Sequence, residues 1–223
     1  MNLQVLEKLE KDYLPFENSE VKACFFCSGP TPEAVGLATY LKKNFPKVTN
    51  LEIETYDLNS KTWRFSQEIT ERHILPEYWQ FNKFNLSHQE LDFCSRNASG
   101  LIEGAIRKSD IFVFQNCLNE LSRSPNYVPA NLGYIFNYMP TDSIIVIADQ
   151  TRYSSITRLL SCIKNHLNKM PVVEYDYGSI SLRFPEEFIN YLPSLKRIIF
   201  SREEKLSFRK NINFQYLIIK KIF

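Results

Sequence analysis

The stretch that decides the fold spans residues 21–36 and reads VKACFFCSGPTPEAVG. Its first seven residues are apolar apart from Lys22, a pattern typical of a strand that is covered on both faces. A turn around Gly29 follows, and glycine can adopt positive φ there at little cost. Residues 32–44 then carry apolar side chains at helical spacing, with a proline in the first turn that suits a helix start. The stretch predicts a strand, a tight turn and a helix in immediate succession.

Outward from this stretch, strand and helix signals alternate along the chain. Further strands are predicted at residues 51–58, 81–86, 111–114, 143–148, 172–177 and 214–219. Helices are predicted at residues 61–74, 99–108, 154–167 and 185–192, with a short helix, a loop and an aromatic-rich helix between 118 and 139. Such alternation predicts an α/β fold with a mostly parallel sheet and helices on both of its faces. The unbroken apolar runs place residues 21–27, 111–114 and 143–148 at the centre of the sheet.

Length and composition fit one globular domain. The chain has 223 residues, of which 44% are hydrophobic and 23% charged, and its net charge of +2 indicates no particular partner. We treat residues 1–223 as a single domain with a leading helix in 1–20, a central core in 21–150 and a C-terminal part in 151–223. The N-terminal residues resemble no signal peptide, and no apolar run approaches the ~20 residues of a membrane span, so a cytoplasmic protein is expected.

Several kinds of chemistry lack their sequence patterns. The five cysteines are scattered, and the single pair at CxxC spacing, Cys24 and Cys27, lies in a predicted strand, so we expect no metal site. The three histidines have no partner at metal or triad spacing. A GxGxxG fingerprint is absent, which argues against NAD or FAD, and the absence of GxxxxGK[ST] argues against a P-loop nucleotide site.

The segment Ser28-Gly29-Pro30-Thr31-Pro32-Glu33-Ala34-Val35-Gly36 resembles the glycine-containing first motif of class I S-adenosylmethionine-dependent methyltransferases, although it carries one glycine where several are usual. The resemblance covers about residues 21–150. It implies a three-layer, Rossmann-like methyltransferase sandwich with about seven strands, in which residues 214–219 pair antiparallel near one edge. It also implies that S-adenosylmethionine is the cofactor. The binding residues that it implies are Cys27, Ser28, Gly29, Pro30 and Glu33 in the first turn, Asp57 and Leu58 at the end of the second strand, Asn85 and Leu86 near the end of the third, and Gln115 after the fourth.

The same resemblance places the segment that follows the fourth strand beside the transferred methyl group. We therefore take Asn116 and Glu120 as candidate catalytic residues, although Asn116 could equally cap a helix. For Asp57 we expect a side chain that faces the cleft and contributes little to stability. The predicted function is methyl transfer to an acceptor that the sequence does not identify: a small molecule, a protein or RNA.

Two alternatives stay open at this point. The chain could be a methyltransferase-like binding or scaffold subunit that transfers no methyl group. Its basic C-terminal segment, residues 196–223, could bind RNA or another anionic partner, although a solvated face explains the same charges.

Overall fold

The computed structural model describes residues 5–8, 14, 16, 18–79, 83–122, 127–151, 154–167, 173–183 and 211–223. The strands are β1 Glu20–Phe26, β2 Asn50–Asp57, β3 Lys83–Glu90, β4 Ile111–Gln115, β5 Ile144–Gln150, β6 Val173–Arg183 and β7 Asn211–Lys221. The helices are α1 Pro32–Asn44, α2 Ser60–Ile69, α3 Leu75–Tyr78, α4 Ala98–Leu101, α5 Glu103–Ile106, α6 Leu118–Leu121, α7 Val128–Tyr138 and α8 Ser154–Leu167, with a π-helical turn, Thr70–Ile74, between α2 and α3.

The seven strands form one sheet in the order β3-β2-β1-β4-β5-β7-β6. The first five strands of that order run parallel, and β7 pairs antiparallel with both β5 and β6. This confirms the predicted α/β fold with a mostly parallel, seven-stranded sheet. It also confirms that β1, β4 and β5 are central and that β7 is antiparallel near one edge.

At the centre of the sheet, in β1, β4 and β5, both faces are buried, which explains the unbroken apolar runs. In β4, Phe112 and Phe114 point into one apolar cluster, while Ile111 and Val113 point into a second cluster on the opposite face. Helices α4 to α8 cover the first face, and α1 and α3 cover the second. The arrangement is a three-layer sandwich, since these helices bury apolar side chains against the two faces of the sheet.

Several predicted elements differ in extent from the structure, and β6, predicted at 172–177, continues to Arg183. The helix predicted at 99–108 is divided into α4 and α5, because Ile102 leaves helical geometry at φ −113 and ψ 10. The helix predicted at 61–74 ends in the π-helical turn. The third strand does not end at Leu86 but continues to Glu90; it lies at the sheet edge, where polar side chains such as Ser87 and Gln89 interrupt the apolar pattern.

Two predicted helices lie wholly or largely outside the described residues. Within the leading segment, Val5 and Leu6 are helical and buried, and Leu14 and Phe16 are also buried. The helix predicted at residues 185–192 is not described. Among the helices that are described, none combines the length and apolarity needed to cross a bilayer.

Candidate functional site

An open cleft lies where the strand order reverses, between β1 and β4. In open parallel sheets this switch point, beyond the carboxyl ends of the strands, is where ligands bind. The cleft has a volume of about 310 Å³. Its lining comes from the β1–α1 turn, the end of β2, helix α2 and the segment after β4: Cys27, Ser28, Gly29, Pro30, Pro32, Glu33, Asp57, Asn59, Trp63, Gln115, Asn116, Cys117 and Glu120.

The turn between β1 and α1 has a left-handed backbone at every second residue. Cys27, Gly29 and Thr31 have φ values of 52°, 50° and 60°. Glycine adopts this region readily, whereas the other two residues pay about 1–2 kcal/mol each for it. The turn therefore follows a path that normally requires several glycines, although the sequence supplies only one.

Side chains from α2 and the π-helical turn hold this strained loop in place. Gln67 donates a hydrogen bond to the Gly29 carbonyl oxygen (2.9 Å), and Thr70 donates one to the Pro30 carbonyl oxygen (2.9 Å). The indole of Trp63 lies 3.6 Å from the position that a Cβ at Gly29 would occupy. Helix α2 thus forms one wall of the cleft and fixes the turn.

Asp57 ends β2 and bonds the turn directly. Its Oδ2 accepts a hydrogen bond from the Gly29 N–H (3.0 Å), and its Oδ1 accepts one from the Asn59 N–H (2.8 Å). The side chain lines the cleft, and its two hydrogen bonds argue against the expectation that it contributes little to stability. Because bonds to a carboxylate are about twice as strong as neutral ones, Asp57 supports the turn as well as facing the cleft.

Glu33 stands in the first turn of α1 and is only 7% exposed. Its Oε1 accepts a hydrogen bond from Gln115 Nε2 at the end of β4 (3.0 Å), which links the start of α1 to the end of β4. Its Oε2 has no hydrogen-bond partner, and neither has the buried hydroxyl of Ser28. Burial raises the pKa of Glu33 to about 7, because a charged carboxylate is poorly solvated there.

The segment after β4 forms the opposite wall. Asp149, at the end of β5, accepts a hydrogen bond from the Leu118 N–H (2.8 Å) and so fixes the start of α6. The hydrogen bond with the Cys27 thiol, together with burial, raises the pKa of Cys117, which therefore stays a neutral thiol. Asn116 (φ 56°) and Glu120 are exposed at the rim.

The structure brings nine of the twelve predicted site residues to this cleft: Cys27, Ser28, Gly29, Pro30, Glu33, Asp57, Gln115, Asn116 and Glu120. Leu58 follows Asp57 but is 57% exposed and does not line the cleft. Asn85 and Leu86 lie within β3, several residues before its end, so the structure does not place them at the mouth of the cleft.

Four lining residues were not predicted: Pro32, Asn59, Trp63 and Cys117. Pro32 and Asn59 are sequence neighbours of the predicted residues Glu33 and Leu58, so their position in the loops after the first two strands was a signal for them. Trp63 comes from a helix whose position over the turn has no signal in the sequence. Cys117 directly follows the predicted Asn116, and it is both buried and at the cleft.

The sequence matches no family model, and no curated protein matches it. Solved structures do match. The precorrin-6y C5,15-methyltransferase of Geobacter metallireducens has a TM-score of 0.51 at 10% identity, over 95% of this chain and 85% of that chain. The precorrin 8w decarboxylase of Methanobacterium thermoautotrophicum has a TM-score of 0.50 at 14% identity, over 97% and 89%.

A third match was solved with two small molecules bound. The phosphoethanolamine N-methyltransferase 2 of Haemonchus contortus, in complex with phosphomonomethylethanolamine and S-adenosylhomocysteine, has a TM-score of 0.51 at 12% identity. The match spans 100% of this chain and 52% of that chain. At such identities the likeness concerns the fold. The chain has the fold of the class I S-adenosylmethionine-dependent methyltransferases.

Proposed function

We propose that this protein binds S-adenosylmethionine in the switch-point cleft and transfers its methyl group to an acceptor. The observation that carries the proposal is the left-handed turn at Cys27, Gly29 and Thr31, held against Asp57 and opening into a cleft at the β1/β4 switch point. The matched methyltransferase structures support it. The strain in the turn argues the same way, since strained backbone concentrates at functional sites.

The residues of the cleft fit this cofactor. A carboxylate has about four lone-pair positions, and Asp57 uses one on each oxygen, so it can still accept bonds from two neighbouring ribose hydroxyls. Ser28 and Glu33 offer buried polar atoms that have no partner within the protein. The cleft volume lies in the ~300–1,000 Å³ range of small-molecule sites.

When bound, the cofactor supplies an activated methyl group on a sulfonium. The protein's part is then to align an acceptor and exclude water, so positioning carries most of the catalysis. Trp63 and the turn would cover one side of the ligand. Asn116 and Glu120, exposed at the rim, are placed to contact an acceptor that approaches from solvent.

Two measurements test the proposal. Calorimetry with S-adenosylmethionine should give micromolar-range affinity, about −7 to −8 kcal/mol. Transfer of a tritiated methyl group into fractionated small molecules, protein and RNA should then identify the acceptor class. Binding without transfer to any fraction would favour the non-catalytic binding or scaffold alternative. An absence of both heat and thermal shift with millimolar cofactor would contradict the proposal.

We also propose a cytoplasmic location and, for the basic C-terminal segment, an RNA or other anionic partner. All five cysteines are free thiols, which supports a cytoplasmic setting. For the basic segment 196–223, the described part includes Lys220 and Lys221. Lys220 pairs with Asp142 (3.5 Å), and Lys221 donates to the carbonyl oxygens of Asn137 and Met139. An RNA contact would thus depend on the basic residues before position 211, and a salt titration of RNA binding would test it.

A further inference from the structure

Unpartnered polar atoms are concentrated at the cleft. Across the described residues, three buried side-chain polar atoms lack a hydrogen-bond partner: Ser28 Oγ, Glu33 Oε2 and His88 Nε2. Two of the three belong to side chains that line the switch-point cleft. Since buried polar groups are nearly always satisfied, an unsatisfied pair in one cleft indicates partners supplied by a ligand.

Glu33 is the more informative of the two because it is held rigidly. Its backbone lies in the first turn of α1, and its Oε1 accepts a hydrogen bond from Gln115. Oε2 therefore remains available as an acceptor. The structure keeps this carboxyl group buried although burial disfavours its charged form. An apolar or amide side chain would serve the fold better, which points to a role in binding.

The charges around Glu33 select the kind of ligand group. The described lining of the cleft contains three carboxylates, Glu33, Asp57 and Glu120, and no lysine, arginine or histidine. The thiols of Cys27 and Cys117 lie on the same walls, and that of Cys117 is neutral. A cleft of this composition attracts positive charge and repels a ligand carboxylate from Glu33.

Resting on the proposed function, we propose that Glu33 Oε2 accepts a hydrogen bond from the ammonium group at the amino-acid end of S-adenosylmethionine, and that cofactor binding is thereby coupled to loss of a proton from Glu33. An ammonium group has only donors, and Glu33 Oε2 is a free acceptor. Ser28, whose hydroxyl can donate, is the available group for the neighbouring carboxylate of the same ligand end.

The coupling has a defined sign. In the free protein the pKa of Glu33 is raised to about 7 by burial, so below that pH the carboxyl is mostly protonated. An ammonium group favours the ionised form, and binding at acid pH must first remove the proton. Affinity should therefore fall as the pH drops, by about tenfold between about pH 7.5 and about pH 6.

Calorimetry with three ligands at both pH values tests the assignment. S-adenosylmethionine and S-adenosylhomocysteine both carry the ammonium group, whereas 5′-methylthioadenosine lacks the amino-acid end. The first two should bind about tenfold more weakly at the lower pH, with 5′-methylthioadenosine unchanged. Near pH 7, buffers of different ionisation enthalpy should reveal proton release with the first two ligands only.

Variants separate Glu33 from the general charge of the cleft. Glu33→Gln should weaken both amino-acid-bearing ligands about ten- to hundredfold at the higher pH and abolish their pH dependence. The matched control Glu120→Gln removes the same charge from the exposed rim and should leave that pH dependence in place. A thermal melt checks that each variant is folded. If Glu33→Gln does not fold, proton release by the unmodified protein, measured by calorimetry in the different buffers, still tests the assignment.

Three results would overturn the assignment. One is unchanged affinity in Glu33→Gln, and another is equal pH dependence for 5′-methylthioadenosine. The third is a loss confined to S-adenosylmethionine, which would assign Glu33 to the sulfonium instead. These are distinct from failure of the proposed function, in which none of the three ligands binds the unmodified protein at either pH.

Discussion

Replacing Asp57 by alanine should damage both the stability of the protein and its affinity for the cofactor. The carboxylate is 9% exposed and accepts one bond from the Gly29 N–H and one from the Asn59 N–H. Gly29 lies in the strained turn, so its N–H has no simple replacement partner. Asn59 is exposed, and water can take over its N–H.

The magnitude follows from these two environments. Leaving the Gly29 N–H unsatisfied should cost about 1–3 kcal/mol, and the solvated Asn59 N–H less than about 1 kcal/mol. We expect the free energy of unfolding of the cofactor-free protein to fall by about 1–4 kcal/mol. Loss of the ribose hydrogen bonds should independently weaken cofactor binding about ten- to hundredfold.

Urea unfolding of the free protein measures the first quantity, and calorimetry at a temperature where the variant is folded measures the second. Asp92→Ala is the control, because Asp92 is exposed and accepts a similar bond from the Cys94 N–H (2.9 Å) away from the cleft. Unchanged stability would refute the role in the turn. A loss of stability with full affinity per folded molecule would refute the ribose contact.

Three further predictions concern the same cleft. Gly29→Ala should destabilise the protein by about 1–2 kcal/mol in urea unfolding, because φ at this position is +50°. The added Cβ would lie 3.6 Å from Trp63, an ordinary contact, so no clash adds to this cost. An unchanged free energy of unfolding would mean that the turn relaxes to accommodate alanine. Burial holds the pKa of Glu33 near 7 in the folded state, above its ordinary value, so the folded protein binds the extra proton and loses stability as the pH rises from about 5 to about 7. The stability of Glu33→Gln relative to the unmodified protein should therefore increase across that window, by up to about 3 kcal/mol, and thermal melts at each pH measure it. A stability difference that does not change with pH would contradict this. Cofactor binding should change the fluorescence of Trp63 but not that of the buried Trp79, so Trp63→Phe should abolish the fluorescence change. A change that persists in this variant would show that the cofactor does not lie against Trp63.

Sequence patterns predicted the fold wherever both faces of an element are buried. The strands β1, β4 and β5 have unbroken apolar runs because helices cover both of their sides. The end of β3 was misplaced because an edge strand carries polar side chains that resemble a loop. The site could be predicted where its residues end a strand, as Asp57 does in β2 and Gln115 does in β4.

The remaining features of the site depend on three-dimensional placement. Nothing in the sequence indicates left-handed geometry at Cys27 or Thr31, since non-glycine residues, and β-branched ones above all, rarely adopt it. The surroundings impose it through Gln67 and Thr70, which reach the turn from the next helical segment. Burial of Glu33 is likewise set by packing, because a glutamate in a first helical turn is usually exposed.

The position of β7 between β5 and β6 has a consequence for synthesis and folding. A ribosome produces β6 before β7, yet among the described strands β6 pairs with β7 alone. Neither β6 nor the outer edge of β5 can therefore complete this pairing until residues 211–221 emerge. Until then the Ile-rich β5 presents an open, apolar strand edge, the kind of surface through which nascent chains aggregate. Closure of the sheet then requires long-range pairing, which is slow. Chaperone demand should therefore be greatest late in translation, and a fragment ending before residue 211 should aggregate.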